Sequence, residues 1–256
     1  MKKSIASTSG ALQVALIQTM TSAILITFLH QVLVRRNDPE LLLTILLRVS
    51  PDRYAFELIT ELLQFSLFVP VLLFISLKLT RIVDVEFSYI MIRHHFKMKW
   101  IIKTYLNILI LCFEAALTTI ITLIVYVKIS IDQTLAIPWY GFIALIVSIA
   151  LGLAFYITFT TLIALKRPAI ILMLTLVSLL SIGKILVHIA PSIARLSVVS
   201  AVFLNHLFEP ASESRLILSG FEKIFKLITI DFAIISLLGI LVQYRIKKID
   251  FIGRRS

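Results

Sequence analysis

The chain has 256 residues, of which 59% are hydrophobic and only 15% charged, and its mean hydropathy is +1.02. A soluble domain needs more polar surface than that, because covering so much apolar area with water costs roughly 25 cal/mol per Å². The formal charge of +11 therefore points to anionic lipid headgroups and not to nucleic acid.

A helix needs about 20 apolar residues to cross about 30 Å of hydrocarbon. Six predicted spans satisfy this, over residues 11–34, 57–79, 104–127, 139–165, 168–189 and 227–244. The runs are too long for barrel strands and do not alternate apolar with polar. The expected fold is thus an all-α integral membrane protein, a single six-span domain over residues 1–256. The apolar stretch after Met1, Lys2 and Lys3 is too long for a signal-peptide core, so the first span is read as retained.

After span one, Asp38 and Pro39 open a short helix whose apolar face is Leu41, Leu42, Ile45 and Leu46, suited to lying on the outer leaflet. Span two begins with Glu57 and Glu61 and ends with Lys78 and Arg81. That polarity suits the helix macrodipole, although Glu57 and Glu61 also have the spacing of a cation-binding or catalytic carboxylate pair.

The next connector, RIVDVEFSYIMIRHHFKMKWIIK, joins spans two and three. Val85, Tyr89, Ile92 and Phe96 recur at helical spacing, while Arg93, His94, Lys97 and Lys99 fall mostly on other faces. This predicts an amphipathic helix in the headgroup region, with Trp100 at the point of re-entry into lipid. Asp84 and Glu86 are poorly placed beside anionic lipid, whereas a protein partner would use both signs of charge.

Three charges fall in or near the predicted spans: Glu114, Lys184 and Asp231. At 1.5 Å per residue, Glu114 lies about 15 Å from the inner end of span three and Lys184 roughly 24 Å along span five. Asp231 enters span six only a few residues from the outside, at a depth closer to that of Lys184. A Lys184–Asp231 ion pair is expected, leaving Glu114 either to line a substrate path or to serve helix packing.

Residues 190–226 are too apolar for a free loop, and they read as a re-entrant or surface helix between spans five and six. Lys166 and Arg167 in a short loop, and the basic tail YRIKKIDFIGRR, place those segments and both termini in the cytoplasm.

Several chemistries lack their residues. Cys112 is the sole cysteine, so no intrachain disulfide or cysteine-based zinc site forms. His30, His94, His95, His188 and His206 have no HExxH spacing, and no metal site is expected. Gly183 and Lys184 are followed by Ile185 with no glycine-rich loop before them, so the chain holds no ATP site.

With Glu86, the segment FSYIMIRHHFKMKWIIK, Lys103, the apolar outer segment 190–226 and the tail YRIKKIDFI around Asp250, the layout resembles the six-span permease subunits of ABC exporters of the second type. Phe87 and Ser88 stand where that family usually has Gly-Thr, and the Pro that often precedes the basic cluster is missing. The resemblance implies a cytoplasmic coupling helix carrying Asp84, Glu86, Tyr89, Arg93, His94, Phe96 and Lys97. It also implies a separate ATPase subunit holding ATP and Mg, a second permease subunit to make a dimer, no cofactor in this chain, and export of an amphipathic or lipid-like substrate through the cell membrane. Two other readings stand beside it: an intramembrane hydrolase or metalloprotease using Glu57, Glu61, His188 and His206, and a non-catalytic immunity or signalling protein that binds a partner.

Overall fold

A computed structural model describes residues 8–32, 66–79, 97–131, 139–164 and 221–252, together with isolated helical positions between 171 and 182. Every described element is helical: α1 (Thr8–Val32), α2 (Ser66–Leu79), α3 (Lys97–Tyr126), α4 (Trp139–Ala164) and α5 (Phe221–Ile252). A π-helical turn, Val127–Ile131, prolongs α3. Four helices contain stretches long and apolar enough to cross a membrane, namely Gly10–Phe28, Ile102–Ile129, Trp139–Ile163 and Ile224–Val242. The chain is therefore an all-α, multi-pass membrane protein. The predicted fifth span is met only at isolated positions, the leaflet helix after span one, the coupling helix before Lys97 and residues 190–220 of the predicted outer helix lie outside the described residues, and its last six residues form the start of α5.

Lipid offers no water to backbone or hydroxyl groups, so each polar group within a span must find a partner inside the protein. The helices satisfy their backbones, and their threonines return hydroxyls to the carbonyl one turn back. Thr19 donates to the Ala15 oxygen at 2.8 Å, Thr118 to Glu114 at 2.7 Å and Thr161 to Ile157 at 2.6 Å. Thr160 does the same to Tyr156. Such hydroxyls are carried through the hydrocarbon at little cost.

Helix α3 packs against both α1 and α4, and α4 packs against α5. Helix α4 is the centre of this row, since every residue from Ser148 to Thr158 is buried. A helix that is apolar all round belongs where protein covers it on all sides. The outer helices instead turn Leu12, Leu16, Met20 and Ile24 of α1, and Phe225, Phe232 and Leu237 of α5, outward. In water those side chains would be a liability; against lipid tails they cost nothing.

Contacts between aromatic residues set the helix directions. The rings of Tyr140 and Phe221, near the starts of α4 and α5, meet with centroids 6.3 Å apart. Toward the far ends of those helices, Tyr105 of α3 reaches both Thr158 and the backbone of Gly239. Helices α4 and α5 thus run parallel in one register, and α3 runs antiparallel to both.

Candidate functional site

These directions bring six basic residues of α3 and α5 to one end of the bundle, against Lys128, Lys223 and Lys226 at the other. The start of α3, bearing Lys97, Lys99 and Lys103, and the end of α5, bearing Arg245, Lys247 and Lys248, emerge on the same face. Helix α4 ends there too, at Ala164, just ahead of Lys166 and Arg167. The opposite face carries a chain of rings: Trp139 on Tyr140 at 6.1 Å, Tyr140 on Phe221 at 6.3 Å, and Phe221 on Phe225 at 6.4 Å. Aromatic side chains of this kind favour the boundary between lipid and water.

Both basic extensions are helical, so these helices run on past the predicted spans, whose apolar stretches are Ile102–Ile129 and Ile224–Val242. Span three was expected from residue 104 and span six to end at 244, but α3 begins at Lys97 and α5 continues to Ile252. Lysine and arginine end an apolar run without ending a helix, because they are good helix formers whose long stems keep their charge near water. Of the residues proposed for partner coupling, only Lys97 is described, as the first residue of α3. Asp84, Glu86, Tyr89, Arg93, His94 and Phe96 lie outside the described residues, as do Glu57, Glu61, His188 and His206.

The two described intramembrane acids occupy different surroundings at one depth. Measured along each helix from the Tyr105–Gly239 contact at 1.5 Å per residue, Glu114 stands about 13 Å away and Asp231 about 12 Å. Asp231 lies ten residues into α5, which starts at Phe221, ahead of the predicted span. It is also only 4% exposed, and among the described residues no ion pair reaches it. Lys184, its expected partner, lies outside the described residues. Glu114 is half-buried and falls on the side of α3 that exposes Ile110 and Ile121, away from Thr119 and the contact with α1.

The sequence reading missed two polar contacts between helices. Gln18 of α1, wholly buried, donates through Nε2 to the Leu67 carbonyl of α2 at 3.3 Å and to Thr119 Oγ1 of α3 at 2.8 Å. One amide thereby ties three helices. The Tyr105 hydroxyl donates to Thr158 Oγ1 at 2.7 Å and ties α3 to α4. A glutamine in the middle of an apolar span was a visible signal, since such a residue must find a partner in the bundle. Nothing in the spacing of Tyr105 and Thr158 announced their pairing.

Between α3 and α4, Leu109, Ile110, Phe113, Val147, Ala150 and Leu151 line an open groove of about 310 Å³. Its lining is hydrocarbon throughout, so it suits lipid tails and has no means of orienting a polar ligand. Among the described residues no three His, Cys, Asp or Glu side chains come together to hold a metal ion. Cys112 is buried in α3.

The class that these features define is a multi-pass helical membrane protein with its larger basic cluster at one end and a chain of aromatic rings at the other. No known protein family matches the sequence, and neither a characterised protein nor a solved structure matches the chain.

Proposed function

We propose that the chain is the permease subunit of an ATP-driven exporter, moving an amphipathic or lipid-like substrate and energised by a separate ATPase subunit. The observation that carries this reading is the continuity of α3: the basic end of the connector and the membrane-crossing stretch are one unbroken helix, Lys97–Tyr126. A partner that pushes on the connector acts directly on a rigid rod packed against α1 and α4. The basic tail of α5 emerges on the same face and offers a second handle. In this reading that face is cytoplasmic, and residues 84–97 form the contact with the ATPase.

Glu114 fits the same scheme. A carboxyl on the outward side of a membrane helix is costly against lipid, and a second permease subunit lying along α3 supplies it with polar company. The spans with few charges suit an amphipathic cargo better than a small ion.

Purification in mild detergent tests the reading. A nucleotide-hydrolysing subunit is expected to accompany the chain and to be lost when Glu86 is replaced or residues 84–96 are deleted. A stable, active preparation without such a subunit would refute it.

A further inference from the structure

Helix α1 carries two buried polar atoms that the protein leaves unused. Gln18 and Ser22 are both 0% exposed and stand one turn apart, so they share a face. The Gln18 Nε2 group is committed to the Leu67 carbonyl and to Thr119 Oγ1, whose own hydrogen goes to the Ala115 oxygen at 2.9 Å. Because the Leu67 carbonyl can only accept, a reversed amide would set oxygen against oxygen, and chemistry settles its orientation. Gln18 Oε1 is then left in the interior without a hydrogen-bond partner, and Ser22 Oγ is in the same position. The serine stands out on its own helix, where Thr19, Thr21 and Thr27 all return their hydroxyls to the carbonyl one turn back.

Buried polar atoms are nearly always hydrogen-bonded, by an ordered water where protein supplies nothing. We propose that α1, α2 and α3 enclose a bound water that donates to Gln18 Oε1 and accepts from Ser22 Oγ. The donor set suits this ligand: Oε1 can only accept, the serine hydroxyl is free to donate, and one water provides both complements. A metal cation would find two neutral oxygens and no carboxylate, which is a poor set for it. The site stands independently of the transport reading.

The lone, buried Cys112 makes the test direct. A maleimide that fluoresces on reaction reports unfolding of the full chain in detergent, so thermal midpoints can be compared without introducing another cysteine. Ser22→Ala is expected to lower the midpoint by about 2–4 °C, the scale of one lost hydrogen bond in a chain of this size. Gln18→Leu lowers it further through its other bonds. The double variant loses less than the two single losses together, because either change alone releases the shared water. An unchanged or raised midpoint for Ser22→Ala, or strictly additive losses, overturns the proposal. Should Gln18→Leu not fold, X-ray radiolysis in isotopically heavy water decides the matter. Leu67, which the amide holds close, is expected to take up the label in the parent chain and to lose it in Ser22→Ala; no uptake in the parent chain overturns the proposal.

Discussion

Gly239 lies so close to Tyr105 that a Cβ at this position would stand 3.0 Å from Cζ of the ring and 3.2 Å from its hydroxyl oxygen. The glycine is therefore a packing device, letting α5 approach a ring that α4 holds from the other side through the 2.7 Å bond between Tyr105 and Thr158. Gly239→Ala is expected to cost about 1 kcal/mol despite the better helix propensity of alanine, and Gly239→Val more. In a Tyr105→Ala background the penalty should vanish or change sign. Thermal midpoints of the four combinations check this, and an equal penalty in both backgrounds would dispose of the explanation.

The hydrogen bond itself is open to a double-mutant cycle. Tyr105→Phe and Thr158→Val should each destabilise, with a coupling of about 0.6 kcal/mol, the average for polar pairs between membrane helices. Zero coupling would mean that the two side chains do not meet in the folded protein.

Asp231 offers a sharper contrast. If Lys184 neutralises it, Asp231→Asn strands a buried ammonium and costs about 3 kcal/mol, while pairing that change with Lys184→Gln recovers most of the loss. Stability measured for both single variants and the double decides the case, and a double variant as poor as the sum of the singles excludes the pair.

Accessibility from outside the cell tests the arrangement of faces. In a Cys112→Ser background, cysteines placed at Lys99 and Lys247 should react with an impermeant maleimide from one side of sealed vesicles, and cysteines at Trp139 and Phe221 from the other. Reaction of positions 99 and 247 from opposite sides would contradict the antiparallel directions of α3 and α5.

Much of this architecture was legible in the sequence, because an apolar run of membrane length has few other fates. Span four was read as residues 139–165, and α4 is Trp139–Ala164. The helix ends at Lys97 and Ile252 were less legible, since hydropathy marks where lipid stops and not where hydrogen bonding along the backbone stops. Glu114 and Asp231 were picked out by charge alone, but their common depth needed the register between α3 and α5, which one contact at Gly239 supplies. Gln18 was passed over because it is uncharged, yet it holds more helices together than either acid.

The enclosure of α4 has a consequence for how the protein responds to its surroundings. With Ser148 through Thr158 buried, the middle of this helix is screened from the bilayer except along its groove with α3, whereas α1 and α5 meet the lipid through their outward side chains. A thinner or stiffer membrane would tilt α5 directly against α4 and α1 against α3, with α4 as the axle of the bundle. Sensitivity to lipid should therefore concentrate at the perimeter of the molecule while the axle keeps its place.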